Sequence, residues 1–246
     1  ENADGRICIL FPFQGKVLLG STDIKIDDPE QAVCDEQEVE YMLGAVRQIF
    51  PSIQLDQSQV VFRFCGVRPL PHSDASVTAR ISRDHSVRII PPSEHNRFPI
   101  YSLIGGKWTT FRSFAEQVCD QILAELNTNR KSGTQELAIG GGKDFPDKKE
   151  LRAEWIADLQ QQTKLPKERL ELLLERYGTK AEAVAEYLLA GPDTILQFHP
   201  DYSKREIEYL LNNEYVVHLA DLVLRRTTMA IKGELTYELL QELLAI

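Results

Sequence analysis

Apolar residues in the first half of the chain point to strands. Runs at 6–13 and 16–21 are separated by Gln14-Gly15, a pattern that predicts a β-hairpin. Further strands are predicted at 60–65, 76–82, 87–90 and 100–104.

Helical spacing also occurs in this half, over residues 35–50 and 110–126, and it takes over completely in the second half. The helices predicted there are 148–162, 167–177, 180–189, 204–212, 213–226 and 235–244. The chain is therefore predicted to be α+β. Its parts are a domain of residues 1–126, a linker at 127–147 and an all-helical domain at 148–246.

The apolar run 100–104 leads into Gly105-Gly106-Lys107-Trp108-Thr109, directly before the predicted helix at Thr110. Glycines allow a bound group to approach the backbone, and the first amides of a helix lack internal partners. Lys107 adds a positive charge at the same place. We interpret this corner as a candidate anion site. The alternative is a tight turn with a solvated lysine, and Trp108 could equally be a core aromatic.

Charge is unevenly distributed along the 246 residues, whose net charge is -9. Residues 1–60 carry 4 Lys and Arg against 11 Asp and Glu, whereas residues 61–112 carry 8 against 3. The acidic total argues against nucleic acid as a partner, and the local basic island favours a small anion. Arg68 and Arg83 are the favoured ligands there. Most of the remaining arginines of the island are expected to be solvated or paired with carboxylates, among them Arg80, Arg88 and Arg97.

Cysteine and histidine spacing indicates no metal site, because no Cys-x-x-Cys pair or clustered histidines occur. The cysteines are Cys8, Cys34, Cys65 and Cys119. A reduced, intracellular protein is the plain interpretation. Cys8, Cys65 and Cys119 are each expected to be a small buried side chain, and none of the four cysteines is assigned any chemistry.

Seven short motifs follow one another along the chain, and their order is informative. They are Phe11-Pro12-Phe13-Gln14-Gly15-Lys16, Gly20-Ser21-Thr22-Asp23, Gly66-Val67-Arg68-Pro69-Leu70, Ser82-Arg83-Asp84-His85, the glycine corner, Glu214-Tyr215 and Asp221-Leu222-Val223-Leu224-Arg225-Arg226-Thr227. Together they closely resemble the FAD-dependent glycerol-3-phosphate dehydrogenases. The resemblance covers nearly the whole chain.

This resemblance implies a specific site. Gly105, Gly106, Lys107, Trp108 and Thr109 would lie against the isoalloxazine ring of FAD. Lys107 would also lie near the reacting carbon of glycerol 3-phosphate, while Arg68 and Arg83 would hold the phosphate or hydroxyls. Thr22 and Asp23 are further candidates for the substrate side, although Asp23 could instead make a local turn hydrogen bond. The general base is not named, and His85 is a minor candidate.

The resemblance also implies what the chain lacks. No Gly-x-Gly-x-x-Gly turn for the FAD pyrophosphate is present, and Gly140-Gly141-Gly142 leads into a linker-like run. We therefore expect a C-terminal fragment whose partner is the missing N-terminal half of the same protein. The first domain would be part of an FAD-binding and substrate domain with a mixed sheet.

The resemblance further implies quinone as electron acceptor, a cytoplasmic location with peripheral contact at the inner membrane, and a possible homodimer. The alternatives are an oxidase that uses oxygen, or a helical region 148–246 that acts mainly as an interaction module. Arg225 and Arg226 could mark such a docking surface, but salt-bridge partners are the commoner role for helical arginines.

Overall fold

The structure is a computed structural model that describes residues 6–68, 84–105 and 107–246. Its internal contacts divide the chain into two units, Glu1–Leu137 and Ala138–Ile246. This boundary lies inside the segment 127–147. Each unit is described by itself below.

The first unit begins with the predicted hairpin. Strand β1 (Ile9–Phe13) pairs antiparallel with β2 (Lys16–Gly20). Gln14 and Gly15 connect them with positive φ angles of 44° and 76°. Two consecutive residues in the left-handed region give the turn twist that suits a two-residue hairpin. The predicted hairpin is confirmed.

Helix α1 (Glu36–Ile49) follows, and its start is fixed by a capping box. The Asp35 carboxylate accepts from the backbone of Glu38, and the Glu38 side chain accepts from the backbone of Asp35. Val39, Leu43 and Val46 are buried on one face. The predicted helix over 35–50 is confirmed.

Strands β3 (Ser86–Ile90) and β4 (Ile100–Ile104) form a second antiparallel pair. A 3-10 turn (Trp108–Thr110) then leads into α2 (Phe111–Glu125), which buries Phe114 and Val118. The α+β class is confirmed. Among the described residues the strands form two separate two-stranded antiparallel sheets rather than a mixed sheet.

The strand predicted at 60–65 is wrong. The segment has no regular secondary structure, and no strand of the described residues pairs with it. A strand needs a neighbour for its backbone hydrogen bonds, and β propensity alone does not supply one. The strand predicted at 76–82 lies outside the described residues.

The second unit is helical, as predicted. Its helices are α3 (Lys149–Thr163), α4 (Lys167–Tyr177), α5 (Ala181–Leu189), α6 (Lys204–Asn213), α7 (Leu219–Asp221) and α8 (Tyr237–Leu244). One core cluster comprises Ile156, Leu159, Leu170, Leu173, Leu174, Ala181, Val184, Ala185 and Leu188. A second comprises Leu196, Tyr202, Ile207, Leu210, Leu222, Val223, Met229, Leu239 and Leu243.

The continuous helix predicted over 213–226 is wrong. Tyr215 has a φ angle of 51°, which no α-helical residue adopts, and α7 begins only at Leu219. The chain continues from α7 through a π-helical turn (Leu222–Arg226). Met229, just beyond it, is fully buried, so the chain turns inward there to fill the second core cluster.

A buried charge network joins α4 to α6. The Glu206 side chain is fully buried and accepts hydrogen bonds from Arg169, from Arg176 at 3.0 Å and from the Tyr177 hydroxyl at 2.7 Å. Burial, and then the Glu206 charge, raise the pKa of Tyr177 far above its ordinary value. The tyrosine therefore stays a neutral donor to the carboxylate.

The glycine run Gly140-Gly141-Gly142 forms a 3-10 turn that packs on the end of α4. A Cβ on Gly141 would lie 1.8 Å from the Tyr177 carbonyl oxygen. The run therefore permits a close backbone approach within the second unit. Across the described residues, no helix is long and apolar enough to cross a membrane.

Candidate functional site

The glycine corner is an exposed joint between β4 and α2. Gly105, Lys107, Trp108 and Thr109 are all exposed, and Trp108 is 91% exposed. The interpretation of Trp108 as a core aromatic is therefore wrong. Gly106 lies outside the described residues.

The backbone at this joint is free of side-chain caps. Neither Lys107, which precedes the 3-10 turn, nor Thr110, which precedes α2, makes a side-chain capping hydrogen bond. Uncapped amides and the positive end of the helix dipole favour an anionic or electron-rich group. The corner thus has the donor set that its sequence predicts.

Gly105 lies beside the side chains of Phe114 and His85. A Cβ at Gly105 would lie 3.5 Å from the Phe114 ring and 3.6 Å from the His85 Cβ. The His85 ring stacks on Phe114 with centroids 4.5 Å apart, and its Nε2 lies 3.0 Å from the Gln117 side-chain oxygen. His85 is thus a packed, half-buried residue that supports the corner.

Lys107 forms an ion pair with Asp84, with Nζ 3.2 Å from Oδ1. The side chains of Lys107 and Asp84 are 48% and 84% exposed. A pair this exposed contributes at most about 1 kcal/mol, so the lysine can exchange it for a bound anion at little cost. Asp84 belongs to the Ser82-Arg83-Asp84-His85 motif, but sequence reasoning did not identify it as the partner of Lys107.

Arg68 lies 3.6 Å from the Asp23 carboxylate, with 44% of its side chain exposed. This contact joins two of the motifs noted in the sequence. The neighbouring Thr22 hydroxyl donates to Glu38 on α1, which anchors the turn that carries Asp23. Arg68 is therefore oriented by a carboxylate while much of its guanidinium still faces solvent. Arg83 lies outside the described residues.

The structure thus presents two cations of the predicted site as exposed ion pairs, Lys107 with Asp84 and Arg68 with Asp23. Within the ranges that the structure describes, no group of three His, Cys, Asp or Glu residues could hold a metal ion. The arrangement can bind a small anion and an electron-rich ring.

Comparison with known proteins places the chain in a family. Residues 1–110 match the model of the FAD dependent oxidoreductase family, and residues 132–246 match the C-terminal domain of alpha-glycerophosphate oxidase. The chain belongs to the FAD-dependent glycerol-3-phosphate dehydrogenase family.

Similar proteins match most of the chain. The chain is 27% identical to the aerobic glycerol-3-phosphate dehydrogenase of Escherichia coli, and the match covers 92% of this chain and 44% of that protein. It is 31% identical to the human mitochondrial glycerol-3-phosphate dehydrogenase over 93% of this chain and 31% of the relative. The chain thus spans less than half the length of these family members.

A solved structure shows the same fold. The glycerol-3-phosphate dehydrogenase from Bacillus halodurans, complexed with FAD, superposes with a TM-score of 0.76 at 22% identity, covering 99% of this chain and 47% of that one. Both units of the present chain therefore have counterparts in a fold of this family.

Two arginines of the C-terminal signature have structural partners. Arg225 pairs with Asp221 at 3.0 Å, and Arg226 donates to the Glu214 carbonyl. Arg225 thus has the expected role of a salt-bridge partner, whereas Arg226 bonds a backbone carbonyl instead of a carboxylate.

Proposed function

We propose that this chain forms part of an FAD-dependent dehydrogenase that oxidises glycerol 3-phosphate to dihydroxyacetone phosphate. The observation that carries the proposal is the exposed, uncapped helix start at Lys107–Thr110 in a member of this family. Two exposed cations, Lys107 and Arg68, supply charge for a phosphorylated substrate.

The corner fits the flavin. An apolar ring with an electron-rich edge needs a flat approach, nearby donors and a positive potential, and Gly105, Lys107, Trp108 and Thr109 supply these together. We propose that they hold the ring of FAD, with Gly106 completing the turn. When bound, the flavin accepts hydride at N5. The helix start and Lys107 would stabilise the negative charge that develops beside them.

The substrate clamp is proposed to consist of Arg68, Arg83 and Lys107. A guanidinium binds phosphate oxygens with two parallel hydrogen bonds, and an ammonium adds a point charge. Asp23 orients Arg68 in this arrangement. Lys107 would leave Asp84 for the oxygens at the reacting carbon.

We propose that further groups of the site, including the general base, come from residues beyond these 246. The apolar exposure of the first unit supports this. Ile9 is 55% exposed and Val17 61% exposed on the first hairpin, and Leu103 is 50% exposed on β4. Such strand surfaces are normally covered by protein. The 246-residue chain alone is accordingly expected to be colourless and inactive, and purification with stoichiometric flavin would contradict this.

The electron acceptor is proposed to be quinone, at a cytoplasmic-side position in peripheral contact with the inner membrane. The oxidase alternative passes the same electrons to oxygen. Reoxidation of the substrate-reduced enzyme by a short-chain quinone or by dissolved oxygen distinguishes them, because the acceptor that reacts at the turnover rate is the physiological one.

The test uses the complete protein, mixed anaerobically with glycerol 3-phosphate while the visible absorption of the flavin is followed. The absorption should bleach rapidly. Arg68→Ala removes charged hydrogen bonds worth about 1.5–3 kcal/mol, so kcat/KM should fall by about 10- to 150-fold. Arg88→Ala, an exposed arginine on β3 of the same basic island, is the matched control. A bound flavin that never bleaches would leave the fold intact and refute the reaction.

A second candidate function for residues 148–246 is that of an interaction module. Tyr215 is 91% exposed and Val217 80% exposed, and the backbone of Val217 donates to the Asp221 carboxylate at 3.2 Å. A loop fixed in this way presents apolar side chains to solvent, which favours contact with a partner. Tyr215→Ser with Val217→Ser should shift the protein from dimer to monomer in light scattering if the module mediates a homodimer.

A further inference from the structure

The start of α1 lies against the irregular segment that precedes Arg68. Glu36, in the first turn of α1, accepts from Arg63 at 2.9 Å. Glu36 and Val39 also share a groove of about 410 Å³ with Gln57 and residues 60–63. The ion pair therefore holds this segment beside the beginning of the helix, and the groove lies between the two.

A cysteine lies just beyond each end of this ion pair. Cys34 is two residues before Glu36, and Cys65 is two residues after Arg63. In the structure both thiols are free. Cys34 is half-buried, whereas Cys65 is exposed. The expectation that Cys65 and Cys119 are buried is therefore wrong, because both are exposed.

The two thiols also interact electrostatically. Burial raises the pKa of Cys34 above its ordinary value, and nearby charges act on it in addition. The charge of Glu38 raises that pKa and Arg63 lowers it, while Cys65 and Asp35 raise it further. Cys65 and Arg63, both in the segment before Arg68, are thus among the groups whose charge acts on Cys34 at the start of α1.

We propose that Cys34 and Cys65 form a reversible disulfide that ties the segment before Arg68 to the start of α1. The spacing of 31 residues in the chain gives no sign of this pair. The ion pair between Glu36 and Arg63 brings together the two segments that carry the cysteines, each cysteine being two residues from one partner of the pair.

The oxidant is a low-molecular-weight disulfide such as glutathione disulfide. The Cys65 thiol, which is the exposed one, releases its proton to solvent, and its sulfur attacks the disulfide, so that one glutathione thiolate leaves. The Cys34 thiol then loses its proton and attacks the Cys65 sulfur, which releases the second glutathione thiolate. Two protein thiols are thereby oxidised by two electrons, and one glutathione disulfide is reduced to two thiols.

The consequence for the site rests on the proposed function. Cys65 is three residues before Arg68, whose guanidinium lies 3.6 Å from Asp23. A covalent tie at Cys65 would restrain the segment that carries this clamp residue. Oxidation is therefore expected to change kcat/KM for glycerol 3-phosphate, reversibly and without loss of flavin.

The test exposes the complete protein to glutathione disulfide and maps its tryptic peptides without reduction. The expected product links peptides 26–47 and 64–80 within one molecule, and dithiothreitol should separate them. Cys34→Ser should stop the reaction at a glutathione adduct on Cys65. Cys65→Ser should leave Cys34 unmodified over the same time, because its burial slows attack. Cys119→Ser, an exposed cysteine on α2, is the control and should still give the linked peptides.

Peptides that stay unlinked after Cys65 is fully modified by glutathione would overturn the proposal, as would a link found only between two molecules. A disulfide requires Cα atoms about 4.4–6.8 Å apart, so a failure to link would show that the two cysteines do not approach this closely. Peptide mapping does not depend on activity. A linked pair with no change in kcat/KM would keep the disulfide and refute only its effect on the clamp.

Discussion

Replacement of Glu206 by glutamine tests how the helical unit is held together. The carboxylate is fully buried and receives donors from Arg169, from Arg176 at 3.0 Å and from Tyr177 at 2.7 Å. Glutamine has the same shape, but it replaces one acceptor oxygen with an NH₂ group that faces these donors. The change also removes the charge that balances the buried guanidinium of Arg169.

The expected loss of stability follows from this burial. Removing one partner of a buried ion pair costs about 3–5 kcal/mol, because the other charge is left uncompensated. Since every 1.4 kcal/mol corresponds to a factor of ten, opening of α4 and α6 should become about 150- to 5,000-fold more frequent. Tyr177→Phe removes only one hydroxyl donor and should cost about 1–2 kcal/mol.

Hydrogen exchange by mass spectrometry measures these openings locally in the complete protein. The matched control is Glu208→Gln on the same helix, because Glu208 lies 3.7 Å from Arg205 and its side chain is 40% exposed. This exposed pair should contribute less than about 1 kcal/mol. Equal exchange rates in Glu206→Gln and Glu208→Gln would refute the reasoning. If Glu206→Gln does not fold, the smaller change in Tyr177→Phe supplies the comparison.

Three further predictions concern the glycine run, the exposed tryptophan and the loop before α7. Gly141→Ala should loosen its turn and increase limited proteolysis there, whereas Gly142→Ala, whose Cβ meets nothing within 4 Å, should not; equal cleavage would refute the packing argument. Trp108→Ala should change the unfolding free energy by less than about 0.5 kcal/mol but lower the flavin occupancy of the complete protein. Trp155→Ala, which removes a ring packed against the first core cluster, should instead lower the unfolding free energy and leave the flavin occupancy unchanged. Two backbone amides hold the pKa of Asp221 below its usual value. The ionised Asp221 carboxylate therefore stabilises the folded state fully above the unfolded pKa of about 3.9, and this stabilisation is lost as the pH falls through the folded pKa. Hydrogen exchange should therefore differ between wild type and Asp221→Asn at pH 7 and converge in acid; a difference that persists at pH 2 would count against this.

Local sequence signals predicted most of the fold. The helices over 35–50 and 167–177 and the strand at 100–104 were predicted within a residue of their observed ends. In each, the hydrophobic period agrees with a local stop or start signal, such as the cap at Asp35 or the glycine at Gly178. Such signals act within a few residues, so a sequence displays them fully.

The two wrong predictions of secondary structure both concern segments whose conformation depends on distant contacts. The segment 60–65 has strand-forming residues but pairs with the start of α1 through Arg63 rather than with another strand. The segment 213–226 has helical spacing, yet Tyr215 turns out of the helix and Met229 enters the core. Tertiary packing overrides propensity in both cases.

The sequence predicted where the glycine corner begins and ends, but not which carboxylates pair with Lys107 and Arg68. The order strand, glycines, lysine and helix start identified the corner at Gly105–Thr109, because that chemistry is local. The partners Asp84 and Asp23 depend on how separate segments fold together. Their distance along the chain, 23 residues for Lys107 and 45 for Arg68, leaves no periodic signal.

The two units differ in how much of their own apolar surface they bury, and this difference bears on the proposed site. The helical unit has two core clusters of its own. In the described part of the first unit, the buried apolar side chains are confined to α1 and α2, and those of the first hairpin are exposed or half-exposed.

The candidate site lies entirely in this first unit. Relatives are more than twice as long as the stretch they share with this chain. We propose one explanation for the uncovered strands and for the candidate site without an assigned general base, namely that protein beyond these 246 residues would cover the strands and complete the site. Catalysis must accordingly be assayed on the complete protein, whereas the stability of the helical unit depends on contacts that this chain already contains.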